Sequence, residues 1–349
     1  MYLMSAHRTL IGIDVSGNLI QLTASDDNLS KFFRFENLRD GDVINEGPLA
    51  NFTVEISTAG ISFLRNGKYL CAPADLAPLV VDREWRMQWE LFSLIPDDEI
   101  STFLSGKIGK TIYDIGSNNG DDIPYYLMKG DKVVAVEANP LLARQIEARF
   151  EKQIKSGALI VENCVVTIDE PGQVFFYLHK GEDFLSQLPE PDPENMVNFE
   201  KVELPAKNII DMIRKHGPPY YIKIDVEHYD QKLLKCLFIN DIRPPYLSCE
   251  SHHIDVFCLL VALGNYDAFK LVDGWSVDKK YANHEVRGPD NEIVNYSFPY
   301  HSAGPMGNDI AGKWMNKDNF FAFLSHVKLG WKDIHVSRVD LPDHSYLGF

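Results

Sequence analysis

The stretch YDIGSNNGDD, residues 113–122, decides the fold that we expect for this chain. Apolar residues lead into Asp114, and Gly116 and Gly120 then enclose two asparagines, as at a buried strand that turns into a helix. In doubly wound α/β sheets, ligands bind where such strands end, and glycine lets the backbone approach them closely. The stretch therefore predicts a ligand-binding turn that includes Asn118.

The two residues that follow this turn, Asp121 and Asp122, are both acidic. A phosphate-binding loop would use a GxGxxG pattern, and two carboxylates near the start of a helix would repel phosphate. They suit a cationic or hydroxyl-rich ligand such as S-adenosylmethionine, which has a sulfonium, an ammonium and a ribose. NAD remains an alternative, because Glu137 at the end of the next strand could bind ribose hydroxyls of either cofactor.

The pattern of the chain changes near residue 98. Before this point, short β-like runs such as LIGIDV and NFTVEIS alternate with turn residues, which predicts an all-β domain over 1–98. A linker is expected at about 96–110. Strands then alternate with helical patterns over 105–349, which indicates a mostly parallel sheet with helices on both faces. Two domains also fit a length of 349 residues.

Two segments of the first domain share a pattern of turn, strand, loop and aromatic-ended strand, around Gly17 and around Gly67. The second copy resembles a repeat of the fascin-like and lectin-like β-trefoils, which contain three such units. A packing or oligomerisation module is the favoured interpretation of this domain. A carbohydrate-binding module is the alternative, since trefoils serve many functions.

The composition argues against some partners and locations. A formal net charge of −16 disfavours binding to nucleic-acid phosphates or anionic membranes. No apolar run is long enough to span a bilayer, and the start MYLMSAHRTL does not resemble a signal peptide, so a cytoplasmic location is expected. The five cysteines are scattered and are interpreted as reduced thiols.

Ionisable residues are concentrated at the ends of two later strands, in KIDVEHYD and SCESHH. Alternation along a strand puts Lys223, Asp225 and Glu227 on one side. Base catalysis or hydrogen bonding to substrate is favoured over a metal, because no ligand spacing here is diagnostic. The catalytic candidates are Asp225, Glu227, His228 and Glu250, and weaker candidates for substrate contact are His252 and His253.

Four stretches, YDIGSNNGDD, VVAVEANP, YIKIDVEHYD and PPYLSCES, resemble in this order the motifs of the FkbM family of S-adenosylmethionine-dependent methyltransferases. The resemblance covers about residues 105–349. It implies a Rossmann-like class I methyltransferase fold, with seven strands and an antiparallel last strand. It also implies methyl transfer (EC 2.1.1 class) to a hydroxyl of a glycan or secondary metabolite.

The resemblance also assigns roles to individual residues. Asp225 matches the acid that faces the methionine part of the cofactor, and Asn163 and Cys164 end the strand where adenine would lie. One departure is His228, which stands where the family commonly has glycine, so an inactive methyltransferase-fold binding protein remains an alternative. The expected cofactor-binding residues are Asp114, Gly116, Asn118, Gly120, Asp121, Glu137, Asn139, Asn163, Cys164 and Asp225.

A long segment at about 275–330 separates FKLVDG from WKDIHVSR, which we predict to be paired strands. Such an insertion is far longer than a hairpin loop and is often a substrate lid. Its aromatic residues include Tyr300 and Trp314, which could stack on sugar rings. The alternative is that the segment simply packs over the edge of the sheet.

Overall fold

The computed structural model describes residues 1–6, 9–14, 16–22, 32–35, 38–57, 60–73, 78–97, 100, 110–288, 292–300, 302–327 and 330–343. Contacts divide the chain into two compact units, Met1–Gly109 with Asp241–Arg243, and Lys110–Asn240 with Pro244–Phe349. Most of the predicted linker lies outside the described residues. The predicted domain limits of 1–98 and 105–349 stay predictions.

The first unit contains an antiparallel sheet. Its strands are β1 (Tyr2–Ser5), β2 (Leu10–Ile13), β3 (Leu19–Leu22), β4 (Thr53–Ser57), β5 (Gly60–Arg65), β6 (Lys68–Cys71), β7 (Val80–Arg83) and β8 (Phe92–Ile95). They lie in the order β3-β2-β1-β8-β5-β6-β7, and β4 pairs with β5. Phe63 is fully buried in the core, with its ring centroid 5.9 Å from that of Phe35 and 5.6 Å from that of Phe92. The all-β prediction is confirmed, whereas the trefoil-like repeat is not and stays a prediction.

The second unit alternates strands and helices, as its sequence pattern predicts. Its strands are β9 (Thr111–Ile115), β10 (Lys132–Glu137), β11 (Leu159–Asn163), β12 (Val165–Thr167), β13 (Gly172–His179), β14 (Phe199–Asn208), β15 (Pro219–Ile224), β16 (Tyr246–Ser251), β17 (Ala268–Asp273), β18 (His284–Arg287), β19 (Ile293–Tyr296) and β20 (Gly330–Ser337). Its helices are α1 (Ile123–Lys129), α2 (Pro140–Arg149), α3 (Glu151–Lys155), α4 (Ile209–His216), α5 (Asp230–Ile239), α6 (Ile254–Ala262), α7 (Val277–Lys280) and α8 (Lys317–Leu324). None of the described helices is long and apolar enough to cross a membrane.

The main sheet has the order β11-β10-β9-β15-β16-β20-β17. Neighbouring strands are parallel except at β20, which runs antiparallel to both β16 and β17. The central strands are apolar and buried because helices cover a parallel sheet on both faces. The predicted class I methyltransferase sheet, with its antiparallel last strand, is therefore confirmed.

Two features of the second unit depart from their local sequence pattern. The run LIVENCVVTI has the pattern of one strand, but it divides at Cys164 into β11 and β12, and β12 joins a separate sheet in the order β12-β14-β13. The run PLLARQIEARFEKQIKSG has the pattern of one helix, but it divides because Phe150 departs from helical geometry with φ −117° and ψ 27°. The small sheet matters for function because it forms one wall of a cleft.

Candidate active site

A cleft opens where β9, β10 and β15 end, at the edge where doubly wound sheets bind ligands. Its volume is about 660 Å³, which includes both the space between the lining atoms and the part of the cleft that is open to solvent. It is lined by Gly116, Asn118, Val136, Glu137, Ala138, Cys164, Val165, Val166, Phe176, Asp183, Phe184, Ser186, Leu188, Asp225, Val226, Glu227 and Tyr229. Five of the ten predicted cofactor residues are among them, namely Gly116, Asn118, Glu137, Cys164 and Asp225.

Glu137 ends β10 and is held by backbone amides. One carboxylate oxygen accepts a hydrogen bond from Asn118 N at 2.7 Å and the other from Asn139 N at 2.7 Å. Burial raises the pKa of Glu137 to about 7, although these two bonds act in the opposite direction. The carboxylate is thus fixed in one orientation, and its remaining lone pairs can accept hydrogen bonds from ligand hydroxyls.

Gly116 follows β9 with φ +83°, in the left-handed region that favours glycine. A Cβ atom at this position would lie 1.8 Å from the carbonyl oxygen of Asp225. Only glycine therefore allows the end of β9 to pass this close to the end of β15. The same approach lets the carbonyl oxygen of Gly116 accept a hydrogen bond from Lys223 Nζ at 2.8 Å.

The other predicted cofactor residues do not line the cleft but support it or point elsewhere. Asn139 caps α2 by accepting a hydrogen bond from Leu141 N at 2.9 Å, and the amide of Asn163 donates to the carbonyl of Glu137 at 2.8 Å. Gly120 has φ +77° and packs closely over α1 and α2. Asp114 is fully buried next to Lys223.

The acids after the glycine turn are already engaged by protein groups, contrary to the expectation that they face a cationic ligand. Asp121 forms an ion pair with Arg149 at 2.9 Å. Asp122 is buried and accepts hydrogen bonds from the Ser302 hydroxyl and from Ala303 N. The insertion therefore holds the start of α1, and the structure does not bring Asp121 into the cleft.

The apolar wall of the cleft was not predicted. It comes from β12, β13 and the segment after β13, which contribute Val166, Phe176, Phe184 and Leu188. This wall and Cys164 provide a surface on which a flat heterocycle could rest. The run GQVFFYLH has the composition of a strand, as observed in β13, but nothing local in it indicates that it would line a cleft.

Lys223 is a buried cation at the centre of this edge. Its Nζ lies 3.2 Å from Asp225 Oδ2 and 3.6 Å from Asp114 Oδ1. Burial alone would lower the pKa of Lys223, but the neighbouring carboxylates, Asp225 first, more than offset it and hold the pKa well above its usual value. The lysine is therefore occupied by these two acids and the carbonyl oxygen of Gly116.

A row of acids extends from Asp225 across the neighbouring strands. Glu250 on β16 lies opposite Asp333 on β20, and Glu227 follows β15. Burial raises the pKa of Glu227 to about 8 and that of Glu250 to about 9, and the negative charge of Asp225 acts in the same direction on both. Burial likewise raises the pKa of Asp333 well above its usual value. This side of the edge is short of positive charge.

The three predicted histidines differ in their contacts with these acids. His252 Nε2 lies 3.1 Å from Glu250 Oε2 and 3.7 Å from Glu227 Oε2. His228 is more exposed, with its Nε2 4.0 Å from Glu227 Oε2 and its ring stacked on His252 at a centroid distance of 6.0 Å. His253 is exposed and precedes α6.

His228 has a backbone φ of +63°, in the left-handed region where glycine is favoured. This gives a physical reason for the glycine that the FkbM resemblance leads one to expect here. Burial and the two neighbouring histidines lower the pKa of His228 below its usual value, so its ring is neutral near neutral pH.

Of the two aromatic residues predicted to contact substrate, Trp314 is placed elsewhere. It is 5% exposed, packs against Tyr246 at the start of β16 with a centroid distance of 6.2 Å, and lies under Lys270. Parallel sheets bind ligands at the carboxyl ends of their strands, whereas Trp314 lies near the amino end of β16, at the opposite edge of the sheet. The insertion in this part packs against the core, as the alternative interpretation held.

Tyr300 does lie near the ligand-binding edge. Its side chain is 42% exposed, and its ring meets that of Trp331 edge-on at 5.5 Å. Trp331 follows Gly330, the partner of Ser251 at the end of β16, and also contacts Trp275 at 4.9 Å. Both tryptophans were missed, although each directly follows a glycine at a strand boundary.

The part of the chain that forms this edge is similar to a known protein family. Residues 114–269 match the methyltransferase FkbM domain. The FkbM-domain region includes the cleft and the acids at Asp225, Glu227 and Glu250, so the match covers this whole part of the site. It does not include the first unit or the insertion. No curated protein matches the chain significantly.

Several solved methyltransferase structures are also similar to the chain, at low sequence identity. Methyltransferase FkbM from Methylobacillus flagellatus KT is 15% identical with a TM-score of 0.34, over 47% of this chain and 40% of that protein. The C-terminal domain of precorrin-6Y C5,15-methyltransferase from Rhodobacter capsulatus is 11% identical with a TM-score of 0.28, over 50% and 74% of the two chains. An S-adenosylmethionine-dependent O-methyltransferase from Thermotoga maritima is 11% identical with a TM-score of 0.28, over 88% and 96%. Since these TM-scores are low, the fold assignment rests on the pairing of the sheet.

Proposed function

We propose that the chain is an S-adenosylmethionine-dependent O-methyltransferase that acts on a hydroxyl of a glycan, a glycosylated compound or another secondary metabolite. The observation that carries this proposal is that two features lie side by side at one edge of the sheet. These are the cleft around Glu137 and the acidic cluster around Glu227 and Glu250. The FkbM-domain match supports methyl transfer.

The cleft suits the chemistry of this cofactor. Glu137 would accept hydrogen bonds from the ribose hydroxyls, Asp225 would pair with the ammonium group, and the wall of Val166 and Phe176 would contact the adenine ring. Deeper burial of Glu137 by ligand would strengthen these bonds because the local dielectric falls.

Bound S-adenosylmethionine supplies a methyl group on a positively charged sulfur. The residues of the chain would align an acceptor hydroxyl with that group, exclude water, and help to remove the hydroxyl proton. Glu227 lines the cleft and Glu250 is linked to it through His252, so these two acids are the preferred candidates for this role, and His228 is the alternative base. A cytoplasmic location and an accessory role for the first unit stay predictions.

Two alternative functions are an inactive binding protein with this fold and an NAD-dependent enzyme. The inactive protein would bind cofactor without turnover, and the reason to consider it is that His228 has a backbone conformation that favours glycine. Calorimetric titration with S-adenosylhomocysteine and NAD, followed by methyl transfer to a panel of glycans with labelled cofactor, separates the possibilities. Tight binding of NAD alone would contradict methyl transfer, and S-adenosylhomocysteine binding without turnover on any hydroxyl acceptor would favour the inactive protein.

A further inference from the structure

Three side chains next to the cleft bring metal-binding atoms together. Glu227 follows β15, Glu250 lies in β16, and His252 comes directly after β16. One ligand atom from each residue lies within 4.8 Å of the others, and His252 Nε2 is 3.1 Å from Glu250 Oε2 and 3.7 Å from Glu227 Oε2. Metal–ligand bonds to oxygen and nitrogen are about 2.0–2.2 Å long, so one ion can bridge atoms up to about 4.4 Å apart. The two distances from His252 are shorter than this limit, and a small movement of either carboxylate would let one ion contact all three atoms.

His252 has a buried ring nitrogen without a hydrogen-bond partner. His252 Nε2 lies 3.1 Å from Glu250 Oε2 but makes no hydrogen bond of acceptable geometry. The Glu250 side chain is 6% exposed, and its hydrogen-bonding neighbour is another acid, Asp225. A buried polar atom without a partner is costly, so a ligand that approaches His252 Nε2 from the space that it shares with Glu250 would be stabilised there.

The surrounding charges make that partner a cation. Asp225 and Asp333 lie beside Glu250, and Asp333 is 3% exposed with one carboxylate oxygen unbonded. Lys223 is already held by Asp225, Asp114 and the Gly116 carbonyl. A group of buried acids in which the neighbouring lysine is occupied attracts a further positive charge.

We propose that Glu227, Glu250 and His252 bind a divalent transition-metal ion, such as Mn²⁺. Two carboxylates with one imidazole suit first-row transition metals better than a set of oxygen ligands alone would. Three protein ligands leave coordination positions open, as in catalytic metal sites. The acids then act mainly by holding the ion rather than by accepting the proton themselves.

The ion would act on the acceptor, a role that rests on the proposed function. An acceptor hydroxyl bound to the metal loses its proton to water more readily, because the metal stabilises the oxyanion. That oxygen forms the new bond to the methyl carbon while the carbon–sulfur bond breaks. The bonding pair passes to sulfur, which becomes a neutral thioether, so charge and atoms balance.

Direct measurement of Mn²⁺ binding tests the site. The full-length protein is treated with chelator, exchanged into metal-free buffer and titrated with Mn²⁺, with free ion followed by electron paramagnetic resonance and heat by calorimetry. We expect one ion per chain, and a loss of affinity of at least about tenfold in Glu250→Gln and in His252→Ala. His253→Ala is the matched control, because that neighbouring imidazole is exposed and outside the cluster. Circular dichroism checks that each variant is folded.

The outcomes separate the metal site from the proposed function. Absence of Mn²⁺ binding by the wild-type protein up to millimolar concentration would overturn the site, as would equal losses in His253→Ala and His252→Ala. If Glu250→Gln unfolds, the His252→Ala and His253→Ala pair still decides the question. Titration of the same samples with S-adenosylhomocysteine shows whether the methyltransferase proposal itself fails, since that ligand is assigned to the cleft around Glu137.

Discussion

Two buried glutamates lie at the same edge of the main sheet but differ in their hydrogen-bond partners. Glu137, at the end of β10, accepts backbone hydrogen bonds from Asn118 and Asn139. Glu250, on β16, contacts the carboxyl of Asp225 and the imidazole of His252 instead of backbone amides. Burial raises the pKa of both, to about 7 for Glu137 and about 9 for Glu250.

Under the proposed function, this difference would let one edge serve two ligands. Backbone amides fix the Glu137 carboxylate, which suits binding of one hydroxyl-bearing ligand at low cost in ordering. Glu250 lacks such backbone support, so a ligand that brings positive charge or hydrogen-bond donors gains more by binding there. The proposed cofactor side would then be ordered before ligand binds, and the proposed acceptor side would be completed by its ligand.

The largest effect should come from replacing the acids of the proposed acceptor side. Glu250→Gln and Glu227→Gln keep the side-chain shape but can neither accept a proton nor bind a metal ion as carboxylates, so we expect turnover to fall by roughly 100-fold or more, with unchanged affinity for S-adenosylhomocysteine. Initial rates with labelled cofactor measure this. Glu203→Gln, an exposed acid on β14, is the control. Full turnover in both cluster variants would mean that positioning alone supplies the rate.

Removing the carboxylate of the cofactor side should affect binding instead. Glu137→Ala is expected to weaken S-adenosylhomocysteine binding by about 1.5–3 kcal/mol, the range for hydrogen bonds to a charged group. Calorimetry gives this value directly, and Glu147→Ala on the exposed face of α2 serves as the comparison. An unchanged dissociation constant in a folded variant would show that the ribose site is misplaced.

The pKa of Glu137 adds a dependence on pH. The free protein protonates this carboxyl below about pH 7, and a ligand that binds the ionised form must then displace the proton. Affinity for S-adenosylhomocysteine should therefore be constant above this pH and fall about tenfold for each pH unit below it. Titrations between pH 6 and 8 test the trend, which Glu137→Gln should abolish. If the pH dependence persists in Glu137→Gln, another ionisable group is responsible for it.

The smallest effect is expected at His228. Its side chain is 55% exposed and 4.0 Å from Glu227, so His228→Gln should leave turnover within a few-fold of wild type at all pH values. His228→Gly should also stay folded, because the position has φ +63°. A 100-fold loss in His228→Gln, with altered pH dependence, would instead identify the imidazole as the base.

Much of the fold was predictable because its signals are local. Glycine turns, buried apolar strands and the acids at strand ends are all present in short stretches such as residues 113–122 and 221–228. The stretches 133–140 and 221–228 predicted Glu137, Asp225 and Glu227, which the cleft brings together. Parallel strands place such ends at one edge, so little further information was needed.

The remaining features depend on contacts between distant residues. The chain leaves β11 at Cys164 because Val165–Thr167 pair with Ala206–Asn208 in another sheet. No local sequence pattern predicts this pairing. Asp121 is engaged by Arg149, 28 positions later, and Trp314 is buried by Tyr246. Acidity or aromaticity alone does not tell whether a side chain meets a ligand or another part of the chain.

The position of β20 has a consequence for how the protein can be made. Its residues 330–337 lie between β16 and β17, so these two strands have no common partner until that segment leaves the ribosome. A nascent chain that stops earlier presents two unpaired strand edges, and such edges promote association with other chains. Synthesis interrupted before residue 330 should therefore yield material that depends on chaperones for solubility.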